Sequence, residues 1–174
     1  FQYIPQVAGL YEYVCTPHIP NGMIGEFTVI NGATTQKTYL PDDNFEQALI
    51  NLGYDNVLDD SVATANINTV ISLQVYQLNI ADLTGIEDFT ALTTLECYLN
   101  QLTSLDVSTN TALTELSCYF NQLTSLDVSN NTTLNTLYCS NNNLATLDVR
   151  NGNNTNFSVI NYSFNAKNNP NLYC

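Results

Sequence analysis

Residues 92–149 read LTTLECYLNQLTSLDVSTNTA, then LTELSCYFNQLTSLDVSNNTT, then LNTLYCSNNNLATLDV. The shift that carries Leu92 onto Leu113, and Leu113 onto Leu134, lays each block on the next. Leu92, Leu95, Cys97, Asn100, Leu102, Leu105, Val107 and Asn110 form the first set. Leu113, Leu116, Cys118, Asn121, Leu123, Leu126, Val128 and Asn131 form the second. Leu134, Leu137, Cys139, Asn142, Leu144, Leu147 and Val149 form the third, with Gly152 expected in its last slot. A fixed period of this length is the mark of a solenoid, in which each coil covers the apolar face of its neighbour and none folds alone.

Working outward, Val70, Leu73, Val75, Ile80, Leu83, Ile86 and Phe89 make an earlier copy, one position longer and without the cysteine. Phe157, Ile160, Tyr162 and Asn165 make a degenerate later one, in which Asn165 is expected to follow Asn142 in the asparagine slot. The loop 151–156 is then expected to hold the extra length. The motif L-x-x-L-x-C-x-x-N-x-L in three phased copies is that of a leucine-rich repeat. The fold expected is a leucine-rich-repeat solenoid with short parallel strands and an irregular convex side. Within each coil the Leu-x-Cys pair alternates with period two, so it is a short strand with two side chains inward. Asn100, Asn121 and Asn142 are expected to point inward and bond turn backbone, because a buried amide must be satisfied.

Residues 39–69 read as the N-terminal cap of the solenoid, with the repeats over 70–156 and a degenerate repeat or C-terminal cap over 157–174. In the cap, Phe45, Ala48, Leu49 and Leu52 share one helical face. Asp43 with Glu46 forms the expected capping pair, and Gly53 is placed to end the helix.

The run from Tyr39 through Pro41, Asp43, Phe45 and Ala48, the run Asp82-Leu-Thr-Gly85-Ile-Glu-Asp-Phe89, and the cysteine repeats together resemble secreted bacterial leucine-rich-repeat proteins of the internalin-like class. The resemblance covers roughly residues 38–174. It implies a secreted or cell-surface protein used in adhesion or ligand recognition. It also implies that the Cys174 segment continues and that its cysteine pairs downstream. Residues before Phe1 and after Cys174 are therefore expected to be missing from this chain.

Cys97, Cys118 and Cys139 recur once per repeat and are read as a column of buried thiols acting as small hydrophobes. A disulfide between rungs would strain a parallel ladder. A metal site there has no histidine to use.

Residues 1–30 carry a different signal, followed by a linker over 31–38. Gly9-Leu-Tyr11-Glu-Tyr13-Val-Cys15, then His18 and Gly22-Met23-Ile-Gly25, resemble the C-terminal hairpin of a plastocyanin-like cupredoxin β-sandwich. Two strands flank a Cys15, His18, Met23 ligand set with spacing C-x2-H-x4-M. Type-1 copper needs one thiolate, two imidazoles and a weak axial thioether. The chain has 1 histidine. Copper is thus expected only in a longer chain with a complete cupredoxin domain.

The balance of 3 Lys and Arg against 16 Asp and Glu, a net charge of −13, argues against nucleic-acid binding. No apolar run approaches the roughly 20 residues of a membrane span. No nucleophile motif or carboxylate dyad suggests an enzyme. The expected partner is a protein or glycan, bound on the concave sheet. Tyr76, Tyr98 and Tyr119 share one outward slot, with Phe120 and Tyr138 beside them and Glu96 and Glu115 at the edge. The competing readings are copper electron transfer through the hairpin, and a spacer or surface-assembly element.

Overall fold

The structure, a computed structural model of the 174-residue chain, describes residues 11–13, 29–31, 35–152 and 163–173. It divides into two compact units, Phe1–Thr35 and Gln36–Cys174. In the first, strands β1 (Tyr11–Tyr13) and β2 (Val29–Asn31) pair antiparallel, with Tyr11 opposite Asn31. One such pair carries no assignment to a sandwich family.

The second unit begins with β3 (Lys37–Tyr39), which starts inside the expected linker and pairs antiparallel with β4 (Ser61–Ala63). Helix α1 (Asp43–Asn51) lies between them, and a short helix α2 (Thr64–Ile67) follows. The expected capping pair is corrected at both residues. Asp42, not Asp43, is the N-cap, its Oδ1 accepting the amides of Asn44 and Phe45 at 2.9 and 3.0 Å. Glu46 does not reach back to the cap. It is fully buried, and its carboxylate accepts the amides of Asp59, Asp60 and Ser61 at 3.0, 3.0 and 2.9 Å. Those amide donors would otherwise be orphaned, and three of them outweigh one donor at a helix start. Gly53 ends the helix as expected, at φ +82°. The second oxygen of Asp42 accepts from Ala81 and Asp82, which fastens the cap to the first coil. Gly85 sits against β3 so tightly that a Cβ would lie 2.5 Å from Leu40 Cδ2 and 2.8 Å from the Tyr39 carbonyl.

The repeats stack as expected. Strands β5 (Ser72–Gln74), β6 (Thr94–Glu96), β7 (Glu115–Ser117), β9 (Thr136–Tyr138) and β11 (Phe164–Asn165) form one five-stranded parallel sheet. Leu73, Leu95, Leu116 and Leu137 lie side by side across it in register and are all fully buried. The other side is less irregular than expected, since β8 (Ser125–Asp127) and β10 (Thr146–Asp148) also pair in parallel. A single core runs from Leu40 in the cap to Leu144. Cys97, Cys118 and Cys139 lie within it as free thiols. Burial raises the thiol pKa of Cys97 and Cys139 to about 12, and drives that of Cys118 well up too.

The asparagine column is continuous. Asn121 accepts from the Leu102 amide at 3.0 Å and donates to the carbonyls of Cys97 and Cys118 at 3.0 and 3.1 Å. Asn100 and Asn142 make the corresponding bonds one coil away on either side. The fourth rung is Asn169, not Asn165. Asn169 accepts from Leu144 and donates to the carbonyls of Cys139 and Ala166, while Asn165 pairs with Tyr138. The last coil is therefore longer than the sequence spacing suggests, running from Asn142 to Asn169 rather than to Asn165. An amide in this slot must meet backbone of the coil before it, and Asn169 is the one placed to do so. The second buried column is corrected likewise. Asn110 and Asn131 are joined by Asn151, whose side chain donates to the Asn131 carbonyl, while Gly152 is exposed at φ +77°. Glycine has no amide side chain to give, so the slot passes to its neighbour.

Candidate functional site

The outer face of the five-stranded sheet is built by the same period. Leu-x-Cys turns two side chains inward and leaves the residue after each cysteine outward. Backbone bonds fix the rungs. The amides of Gln77, Leu99, Phe120 and Asn141 donate to the carbonyls of Tyr98, Tyr119, Ser140 and Lys167, at 2.9 to 3.1 Å. One column thus reads Tyr76, Tyr98, Tyr119, Ser140, Lys167.

The three tyrosines form a face-to-face stack. Ring centroids are 4.6 Å apart with planes at 5° for Tyr76 and Tyr98, and 4.5 Å apart at 7° for Tyr98 and Tyr119. The spacing matches the roughly 4.8 Å between neighbouring strands, so the backbone repeat imposes it. Loss of solvent around the stacked rings, then the neighbouring phenols of Tyr119 and Tyr76 and the Glu96 carboxylate, push the Tyr98 phenol above its ordinary pKa.

The chain leaves the strand through a left-handed residue in every coil: Gln77, Leu99, Phe120, Asn141 and Asn168, at φ of 53 to 59°. For residues such as Leu and Phe this costs about 1–2 kcal/mol each, offset by the asparagine bonds made at the next position. The kick also aims side chains outward. Phe120 meets Tyr119 edge-on at 5.9 Å and 68° and is 49% exposed. With Leu99 also exposed, the outer face of the sheet carries an apolar and aromatic patch.

Of the residues singled out from the sequence, Tyr76, Tyr98, Tyr119 and Phe120 are brought together. Tyr138 stands in the neighbouring column, in register with Ser117 and Asn165. Glu96 belongs to that column, flanks Tyr98 and receives a 3.4 Å bond from Gln74. Glu115 lies one column further out, separated from the stack by Ser117. Beyond Tyr119 the column drops to Ser140, and a hollow of about 420 Å³ opens between Tyr119, Phe120, Tyr138, Ser140, Asn141 and Asn165. Asn165 was not expected there. The signal for it was the greater length of the last coil, hidden by the degenerate spacing.

The opposite edge carries Asp82, Asp106, Asp127 and Asp148. Each accepts the amide two residues on, from Thr84, Ser108, Ser129 and Arg150. The Ser108 hydroxyl and amide hold Asp106 below the usual carboxylate range. Hydrogen bonds from Arg150 lower Asp148 to about 2. These are turn-forming carboxylates, and no metal-binding cluster of His, Cys, Asp and Glu occurs among the described residues. Cys15, His18 and Met23 lie outside the described residues.

The aromatic column lies on the sheet of a leucine-rich-repeat solenoid, and comparison with known proteins agrees on that fold. Internalin J of Listeria monocytogenes serotype 4b is 40% identical over 85 residues, 48% of this chain. The chain spans only 9% of that relative's length. The solved functional domain of InlJ from Listeria monocytogenes, described as including a cysteine ladder, aligns at 40% identity and TM-score 0.59. That match covers 66% of this chain and 26% of the InlJ domain. An internalin structure, InlF of the same species, shares the fold at 22% identity and TM-score 0.59, over 80% of this chain and 41% of its own. No protein-family profile matches the chain. The repeat region is internalin-like in both sequence and fold. No described helix is long and apolar enough to cross a membrane.

Proposed function

We propose that this chain is a recognition module of a larger bacterial surface or secreted protein, and that it binds a protein or glycan partner on its concave sheet. The observation that carries the reading is the stack of Tyr76, Tyr98 and Tyr119, exposed at Tyr76 and half-buried at Tyr98 and Tyr119, and extended edge-on by exposed Phe120. A rigid, partly exposed aromatic patch with hydroxyl tips is the composition of recognition surfaces. Because the rings are held by strand pairing, they lose little freedom on binding. Likeness to internalins supports placement at the cell surface or outside it, and the charge of −13 disfavours nucleic acid and anionic lipid.

The test is a Tyr98→Ser, Tyr119→Ser double variant, assayed against native cell surfaces and a glycan array at a temperature where circular dichroism shows it folded. Lost binding supports the reading. Unchanged binding returns the column to a purely structural role.

A further inference from the structure

In a face-to-face stack the inner ring faces are used up by neighbours, so only the ends are open. Tyr98 has both faces covered, at 4.6 and 4.5 Å. The far face of Tyr119 meets no further ring of the column, because the next residue there is Ser140. In that coil the aromatic has moved two residues back along the strand, to Tyr138. The result is the hollow lined by Tyr119, Phe120, Tyr138, Ser140, Asn141 and Asn165. It occupies the position a fourth ring would take.

We propose that this hollow is a socket for one aromatic side chain of a protein partner, which enters as the missing rung of the stack. The inference rests on the concave face being the binding surface and goes further by naming the occupant. The column's pitch sets the fit, since a ring above Ser140 would lie about one strand spacing, ~4.8 Å, from Tyr119. Phe120 and Tyr138 provide apolar walls. Asn141 is fixed for recognition: its Oδ1 accepts from Asn168 at 2.8 Å, and its Nδ2 donates to Ser140 Oγ at 3.3 Å. Its second amide hydrogen suits a phenol or backbone carbonyl of the guest. Lys167, the next residue of the column, is exposed, and its stem is long enough to bring the ammonium over the guest ring's far face. A pyranose fits the chemistry less well. Its rim of hydroxyls would each need a partner, and the polar side chains lining the hollow beyond the Tyr119 and Tyr138 phenols are only Ser140, Asn141 and Asn165.

The experiment titrates the ¹⁵N-labelled chain with N-acetyl-tryptophanamide, N-acetyl-tyrosinamide and methyl β-glucopyranoside, following backbone amide shifts. The two aromatic amides are expected to produce saturable ring-current shifts centred on Tyr119, Phe120, Ser140 and Asn141, and the glucoside none. Ser140→Tyr, which supplies the missing ring from the chain itself, should abolish them. Tyr119→Leu, which keeps apolar bulk and loses the π face, should weaken binding about fivefold. Shifts spread along Tyr76 and Tyr98, shifts untouched by both variants, or shifts with the glucoside alone would each overturn the socket. If Ser140→Tyr keeps full binding to cell surfaces while the Tyr98→Ser, Tyr119→Ser variant loses it, the concave face stands as the binding surface and the socket falls.

Discussion

Two columns run through the repeats at the same period, the outer from Tyr76 and the inner from Asn100 one coil later, and they behave differently. The inner column of Asn100, Asn121, Asn142 and Asn169 is unbroken, even where the last coil must lengthen to supply its amide. The outer column of Tyr76, Tyr98 and Tyr119 stops at Ser140. From Asn100 on, the interior cannot leave a rung out, because each asparagine satisfies backbone groups of the coil before it that water cannot reach. The exterior can, since solvent fills any gap at little cost. Regularity inside is thus enforced by folding energetics, and a break outside marks freedom that binding can exploit.

The strongest way to break this contrast is at Cys118. Cys118→Asp places a charge among apolar neighbours with no partner, and no folded protein is expected by circular dichroism. Cys118→Ala should fold with a loss of about 1 kcal/mol. In the unaltered protein the same burial should block maleimide labelling of Cys97, Cys118 and Cys139 at pH 8, since all three thiols are held well above their ordinary pKa. Rapid labelling of the folded chain would show that the inner column is not closed.

Asn121→Leu is the next test. It fits the space but strands the Leu102 amide, and it takes one of two side-chain donors from each of the Cys97 and Cys118 carbonyls, which keep Asn100 and Asn142. The stranded amide costs about 1–3 kcal/mol and each lost carbonyl bond about 0.5–1.5 kcal/mol, so urea unfolding should show a loss of at least ~2 kcal/mol. A loss below about 1 kcal/mol would mean that water enters the ladder.

Outside, effects should be smaller. Tyr98→Ser removes two ring contacts, each worth about 0.5–1.5 kcal/mol, so a loss of about 1–3 kcal/mol is expected in the same unfolding assay. A double-mutant cycle between Tyr76 and Tyr98 separates stacking from simple burial. A coupling of zero would leave the aligned rings as a passive result of strand spacing.

The smallest effect concerns the exposed acidic column. Asp148 is held at about 2 against an ordinary 3.8, first by the Arg150 hydrogen bonds. Its folded pKa is depressed, so its contribution is present above pH 3.8 and is lost as pH falls through about 2. A carboxyl-carbon NMR titration should place Asp148 near the lower value. Arg150→Ala should return it toward the upper one, with little change in melting temperature because the Arg150 side chain is largely in solvent.

Much of this protein could be read from its sequence, and the reason is translational symmetry. The positions Leu95, Cys97, Tyr98 and Asn100 recur at one spacing, so each contact on a rung implies the same contact on the next. Stacked coils, buried thiols, the asparagine ladder and the tyrosine column all followed from counting residues. What counting did not reveal lies where the symmetry ends. Glu46 is bonded to amides 13 to 15 residues away, across a turn with no repeat to announce it. Asp42 caps its helix and also binds the first coil 39 residues on, a double role that local pattern cannot distinguish from that of Asp43. Asn169 and Asn151 displaced Asn165 and Gly152 because the ladder needs an amide at a point in space, wherever the chain can supply one. The socket at Ser140 belongs with these. A serine in a tyrosine slot is visible in the sequence, but only the tertiary structure shows the hollow there, because a hollow is made by what surrounds it.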